Sequence, residues 1–453
     1  MLKSVNPFTG KLIQKYQEHT DQQLTEKLET ADSAFQSWSK TSIAFRTALL
    51  SQLAEKLEHS KMDFACEITL EMGKPLIESI AEIDKCILLC RHFAAKADEY
   101  LMPYSVKTEA STTVVEFEPL GVLLAIMPWN FPWWQVLRFV VPAIAAGNTV
   151  VLKHAPNVCG TALNIEKVFI DSGFPEGIVS ALLMRAERSE FVIKNAIIQG
   201  VTLTGSERAG KEVGALAGRH LKKAVLELGG SDPFIVFEDA NLAECCAVGN
   251  RARMLNAGQV CIAAKRFIVH ASLFQTFIEM QKDLISKLMP GNPLDISTTI
   301  GPMARPDLLD AIDFQVNDAV KKGAMLHAGG KRNATYPAIY EPTILSNIHE
   351  EMLVFHEETF GPVMTIIPFE NEDEAIQLAN SSRFGLGASV WTMDHERIQR
   401  LSRRLQVGSV FFNSMVKSDP RLPFGGIKNS GFGRELGIEG IKEFVNIKTI
   451  WIQ

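Results

Sequence analysis

The sequence predicts an α/β protein built on two parallel-sheet domains, and three observations carry that expectation. Short apolar, β-branched runs recur along the chain with helical segments between them, as in repeated βαβ units. The length of 453 residues exceeds a single domain of roughly 150. Hydrophobic residues at 46% and charged residues at 22% are ordinary globular values, which excludes a wholly disordered chain.

From Asp21 to about Tyr100, apolar and polar residues mix at a helical period, so helices are expected throughout. Ser105–Phe117 alternates and is rich in Thr and Val, which predicts exposed strands or a hairpin. Buried strands follow at Gly121–Met127, Asn148–Lys153, Gly200–Gly205, Lys223–Leu228 and Asp232–Phe237. After about Cys261 the alternation resumes with Arg266–His270, Val363–Phe369 and Gly387–Thr392. No repeat, low-complexity tract or flexible linker marks a boundary. Pro119–Leu137 carries no charge and approaches the length of a membrane span. Pro119, Pro128 and Pro132 would break a helix there repeatedly, which lipid does not tolerate, so buried core is expected instead.

The balance of charges excludes other classes. A net charge of −6 leaves no electrostatic footprint for nucleic acid, and the basic cluster Arg400–Arg404 reads as a solvated helix face. The N-terminus, MLKSVNPFTG, has no apolar signal region, so a cytoplasmic protein is expected. Seven cysteines are too sparse for a disulfide framework, and none has CxxC spacing. The ten histidines lack HExxH or HxH spacing, so no metal site is expected.

Cys261, in AGQVCIAAKR, follows a glycine-containing turn and precedes a strand, which places its thiol at an element edge; a small buried hydrophobe is the plainer reading. Glu227 ends an apolar run directly before Gly229-Gly230. A carboxylate there is placed to have its pKa raised, as a general base needs, or to act as a cap or ion-pair partner. Asn130 lies between Pro128 and Pro132, where its amide could donate to an oxyanion or close a turn. LTGSERAGKE (Leu203–Glu212) reads as strand, turn and helix. It misses a Walker A loop because Glu212 stands where Ser or Thr would hold magnesium, but it suits a dinucleotide pyrophosphate at a helix N-terminus.

Taken together, PWNFP (Pro128–Pro132), TGS (Thr204–Ser206), ELGG (Glu227–Gly230), GQVC (Gly258–Cys261), ETFGP (Glu358–Pro362), PFGG (Pro423–Gly426) and KNSGFGRE (Lys428–Glu435) resemble the aldehyde dehydrogenase superfamily. The match runs from NPFTG (Asn6–Gly10) to TIW (Thr449–Trp451). It implies two Rossmann-like parallel-sheet domains plus a small β oligomerisation element. Residues 1–102 and 121–228 would bind the cofactor, 229–437 would form the catalytic domain, and 103–120 with 438–453 would oligomerise. The strands at Ser105–Phe117 and Phe444–Gln453 have bare edges suited to a homodimer or homotetramer.

The resemblance implies a role for each motif. Cys261 would be the nucleophile, Glu227 the general base and Asn130 an oxyanion donor. Trp129 and Ser206 would contact the pyrophosphate, Gly205 and Gly210 would shape its turn, and Lys153 would bind the adenosine ribose. Glu358 and Phe360 would hold the nicotinamide end. The implied cofactor is NAD. Pro156 stands where NAD-preferring members often carry a glutamate, so NADP stays open. Glu227 favours a free acid as product over transfer to coenzyme A.

The C-terminal loop is similar to the short, bacterial-type succinate-semialdehyde dehydrogenase branch, which implies a small carboxylated aldehyde as substrate. Arg138 and Ser418 match its carboxylate-binding positions, and Arg421 would supply a second cation. Other such enzymes carry an arginine six residues before the nucleophile, where this chain has Leu255. Arg251 and Arg253 lie nearby with their facing open, and Trp133 and Trp134 would line an entrance or the core. A broad-specificity aldehyde dehydrogenase is the alternative within the family. A catalytically silent protein on the same fold is the alternative outside enzymes.

Overall fold

The N-terminal helical stretch resolves into Asp21–Trp38, Ile43–His59, Lys61–Met72 and Leu76–Tyr100 in a computed structural model that describes residues 1–453. Local chemistry sets their ends. Thr20 and Gln23 form a reciprocal capping box on the first helix, and Ser42 caps the second. Gly73 stops the third at φ +83°, a conformation that favours glycine. Before them, Leu2–Val5 and Leu12–Tyr16 form an antiparallel hairpin that the sequence reading did not anticipate. Its turn is Asn6–Gly10, where the Asn6 side chain accepts from the amides of Phe8 and Thr9 at 2.9 Å.

The first large sheet runs in the order Gly431–Phe432, Lys223–Glu227, Ile198–Thr204, Val122–Ile126, Thr149–Lys153, Val179–Ala181. All of these strands are parallel except Gly431–Phe432. Val122–Ile126 and Thr149–Lys153 are buried along their whole length, as parallel strands covered on both faces must be. From Val122–Ile126 the chain steps outward through Thr149–Lys153, then returns on the other side through Ile198–Thr204. That reversal opens a crevice beyond the carboxyl ends of the strands, where open α/β sheets bind ligands.

The second sheet runs Met325–Ala328, Thr343–Ser346, Val363–Phe369, Ala264–His270, Asp232–Val236, Gly387–Trp391, Ser409–Phe412, with only the first strand antiparallel. A small antiparallel sheet joins Tyr104–Ser105, Thr112–Pro119 and Val445–Ile452. The last of these leaves a bare edge with Ile447, Trp451 and Ile452 exposed.

Gly431–Phe432 departs from the expected division of the chain. It falls within 229–437 yet pairs with Lys223–Glu227 of the first sheet, because Gly431 has no Cβ to strike Leu226 O, 1.9 Å from where one would stand. The C-terminal chain is thereby drawn back over the end of that sheet. Pro119–Leu137 folds as strand, turn and the start of the wholly buried helix Trp134–Ala145. No helix is long and apolar enough to cross a membrane.

Candidate active site

Strand ends of the first sheet deliver six of the expected residues. Trp129 and Asn130 follow Val122–Ile126, Lys153 ends Thr149–Lys153, Gly205 and Ser206 follow Ile198–Thr204, and Glu227 ends Lys223–Glu227. The Cys261 loop arrives from the second sheet's side, between the helix Leu242–Met254 and the strand Ala264–His270. Asn256 and Ala257 both take φ +52° there, a strain of about 1–3 kcal/mol each that the surroundings must hold. They do so with a dense set of bonds. The Asn256 N–H donates to Glu78 Oε2 at 2.8 Å, and its side-chain amide donates to Asn130 O at 3.0 Å. Gln259 Nε2 donates to Asn256 O at 3.1 Å, while its Oε1 accepts from Ala304 N at 2.9 Å.

Asn130 is buried, and its Nδ2 donates to Gln259 O at 3.0 Å. An amide has two N–H donors, so the second remains for another acceptor. Cys261 is half-buried, and burial pushes its thiol up to about 11; Arg138 and Lys265 oppose, while the Glu358 and Glu227 carboxyls add to the rise. The thiol is therefore protonated at neutral pH and needs a base. Lys265 Nζ donates to Val260 O at 3.1 Å and Cys261 O at 2.7 Å, and stands 3.6 Å from Glu358 Oε1.

Glu227 is only 2% exposed. Burial raises its pKa well above the usual carboxylate range, Glu435 adds to this, and Arg138 opposes it. Its Oε1 has no hydrogen-bond partner and lies 2.7 Å from where a Cβ on Gly425 would stand. Arg138 pairs with Glu435, its Nη2 reaches Thr204 Oγ1 at 3.4 Å, and its guanidinium lies 4.7 Å from the Phe424 ring centroid. One guanidinium thus neutralises a cluster that holds both carboxyls.

The ELGG glycines have distinct jobs. A Cβ on Gly229 would stand 2.4 Å from Glu358 Oε2, and one on Gly230 would stand 2.8 Å from Cys261 O. Glu358 Oε1 accepts the Gly230 N–H at 3.1 Å. Across the crevice the rings of Trp129 and Phe360 meet edge to face at 5.9 Å. Ser206 caps the helix Glu207–Arg219 through Ala209 N, and Gly210 lets that helix approach Leu228, whose Cδ1 would be 2.5 Å from a Cβ. A Cβ on Gly205 would meet nothing closer than 3.5 Å, so packing within the chain does not demand glycine there. Lys153 is buried, which lowers its pKa, and both side-chain amide atoms of Asn157 lack partners. These unsatisfied groups, with the capped helix N-terminus, fit a phosphorylated dinucleotide.

Beside this crevice lies a cavity of about 860 Å³ lined by Cys261, Arg138, Ser418, Lys85, Trp134 and Leu255, among others. Arg251 lies on its exposed rim, whereas Arg253 is buried and donates to Thr359 O at 2.8 Å, a structural role. Trp133 belongs to the core, 4.4 Å from Phe64 between ring centroids, so only Trp134 faces the cavity. Arg421 corrects an expectation. Its side chain is 73% exposed and bonds Asp419 at 2.6 and 2.8 Å, outside the cavity lining.

Residues 1–450 match the model of the aldehyde dehydrogenase family. The chain belongs to that family. A Synechocystis protein named a probable NADP(+) succinate-semialdehyde dehydrogenase is 47% identical, over 100% of this chain and 99% of its own. An Escherichia coli succinate semialdehyde dehydrogenase, named for NAD(P)+, is 43% identical over 99% of this chain and 97% of its own. The crystal structure of succinic semialdehyde dehydrogenase from Streptococcus pyogenes in complex with NADP+ superposes with a TM-score of 0.97 at 35% identity, covering 100% of both chains.

In this aldehyde dehydrogenase, an oxidoreductase, several site residues escaped the sequence reading. Glu78, Glu82 and Lys85 are spaced as one face of the helix Leu76–Tyr100, a charged stripe that normally faces water. Here the stripe faces inward, where Glu82 pairs with Lys74 and accepts from Trp133 N and Trp134 N at 2.9 Å. Glu435 stood within a recognised motif, but nothing local identified Arg138 as its partner.

Proposed function

We propose that this aldehyde dehydrogenase oxidises succinic semialdehyde to succinate through a Cys261 thioester, using NADP as well as NAD. The observation that carries the reading is that Cys261 lines one cavity together with Arg138, Lys85 and Ser418. A carboxylated aldehyde can place its anion among cations there and its carbonyl at the thiol. The relatives' names supply the substrate, and they name NADP(+) in the Synechocystis protein and NAD(P)+ in the Escherichia coli one. NADP suits the chain itself because Pro156 presents no carboxylate to repel a 2′-phosphate, while Lys153 and Asn157 offer donors.

Trp129, Lys153, Ser206, Glu358 and Phe360 would hold the dinucleotide. When bound, its nicotinamide supplies the hydride acceptor. The thiol of Cys261 gives its proton to Glu227 and bonds the aldehyde carbon, forming a thiohemiacetal. The free Asn130 N–H and the Cys261 backbone N–H stabilise the oxyanion. Glu227 passes that proton to solvent before the second step; with the thioester formed it takes a proton from water, whose oxygen attacks the acyl carbon and breaks the S–C bond, and it returns the proton to the departing thiolate as the acid leaves, restoring thiol and carboxylate. For these steps the Glu227 side chain turns from Gly425 toward the sulfur, and its Oε1 has no hydrogen bond to break. The bare edge of Val445–Ile452 would join a second copy in a dimer or tetramer.

A steady-state panel crossing NAD and NADP with succinic semialdehyde and butanal tests this reading. Succinic semialdehyde should have the higher kcat/KM. A higher value for butanal would point to a broad-specificity enzyme instead.

A further inference from the structure

We infer that Lys85 is the residue that grips the substrate carboxylate and so sets specificity; this rests on the carboxylated-aldehyde reading above. Four cations face the cavity, and they differ in what already holds them. Arg138 is committed to Glu435, and Glu227 lies in the same cluster, so an incoming anion there meets a neutralised guanidinium and a second carboxyl. Arg251 and Lys417 sit on the exposed rim, where water weakens an ion pair. Lys85 is different. Its Nζ donates to the Ser418 hydroxyl at 2.7 Å and lies 4.0 Å from the Trp134 ring centroid, and no carboxylate pairs with it.

The nearby anions are all occupied. Glu82 is paired with Lys74 and bonded to the amides of Trp133 and Trp134. Asp419 is held by both ends of the Arg421 guanidinium, which gives that exposed arginine a role in keeping Asp419 away from Lys85. Glu78 accepts from Asn256 N, and Glu244 accepts from Asn241 at the helix start. An ammonium has three N–H donors, and a neutral hydroxyl with an aromatic face satisfies it only in part. A carboxylate completes its shell with short charge-assisted bonds and gains from the poor solvation of the site. Burial lowers the Lys85 pKa to about 8, with Arg138 adding repulsion and Cys86, Glu82 and Asp419 opposing it. The cation therefore predominates at neutral pH and is lost above about 8.

The test compares kcat/KM for succinic semialdehyde and butanal, with NADP, in the wild-type enzyme, Lys85→Met and Lys85→Arg. Removing a charge-assisted bond should lower the ratio of the two values about 10- to 100-fold in Lys85→Met, chiefly through the KM of succinic semialdehyde, while Lys85→Arg keeps most of the ratio. An unchanged ratio in Lys85→Met overturns the assignment alone. A wild-type enzyme that prefers butanal overturns the substrate reading and the assignment together. A second measurement needs no variant: the wild-type ratio should fall as pH rises through about 8, and a flat ratio between pH 7 and 9 overturns the assignment.

Discussion

A hydrogen bond of 2.7 Å joins Lys265 Nζ to the backbone carbonyl of Cys261. The same ammonium stands 3.6 Å from Glu358, so one buried cation ties the Cys261 loop to the Glu358 carboxylate. Replacing it with Met leaves the Cys261 carbonyl without its donor and Glu358 without its ion-pair partner, while the Val260 carbonyl keeps the Ala263 N–H at 3.1 Å. Lys265→Met is expected to lose about 3 kcal/mol of stability by denaturant unfolding. Its kcat should fall further than the instability accounts for, because the Val260–Ala263 segment that carries Cys261 loses a brace.

The thiol chemistry makes a second prediction. Burial pushes Cys261 up to about 11, so in the free enzyme the reactive thiolate is scarce at neutral pH. Iodoacetamide alkylation of Cys261, followed by mass spectrometry, should rise about tenfold per pH unit from pH 7 to 9 without a plateau. A plateau below pH 8 would contradict a thiol held protonated by its surroundings.

Gly425 offers a way to separate the two chemical steps. A Cβ there would stand 2.7 Å from both Glu227 Oε1 and Gly433 O, so alanine must displace the carboxyl or the backbone. Gly425→Ala should lower kcat about tenfold or more, the scale of a mispositioned general base. With the base displaced both steps should slow, hydrolysis of the thioester most, because water is a far weaker acid than the Cys261 thiol at about 11. Rapid mixing should then show a burst of reduced cofactor close to one equivalent per active site, followed by a slow steady state.

Glu67 gives a prediction about stability away from the cavity. Burial raises its pKa to about 7, Glu71 adds to the rise, and the Asn164 and Thr161 hydrogen bonds oppose it. A carboxyl whose folded pKa is raised binds more protons in the folded state. Its contribution is fully present below the unfolded value and is lost as pH rises through about 7, amounting to at most about 3 kcal/mol. Glu67→Gln should therefore stabilise the enzyme more at pH 8 than at pH 5, as measured by urea midpoints at the two values. An equal effect at both would remove the titration from the account.

The fold was legible from local pattern because parallel strands buried on both faces must be short apolar runs, as at Val122–Ile126 and Thr149–Lys153. Most of the candidate site was legible for a related reason. Residues such as Asn130, Lys153, Ser206 and Glu227 lie at or just beyond strand ends, so a strand boundary read from sequence also locates them on the crevice. The hairpin around Asn6–Gly10 was missed because its strands are short and Leu12–Tyr16 is largely exposed, leaving little burial signal.

Sequence alone determined the α/β class, the alternation of the main buried strands with helices, and Cys261, Glu227 and Asn130 as candidate reactive groups. Tertiary structure alone decided which cations are free to bind an anion. Lys85 and Ser418 meet across 333 residues, Arg138 is claimed by a distant Glu435, and Arg421 turns outward to Asp419. The physical reason is that a charge's usefulness depends on its burial and its partner, and neither is a property of the residue or its neighbours in the chain. The same lysine on an open helix would be a solvated surface group; docked against Trp134 and Ser418, it becomes a poorly solvated cation facing a cavity.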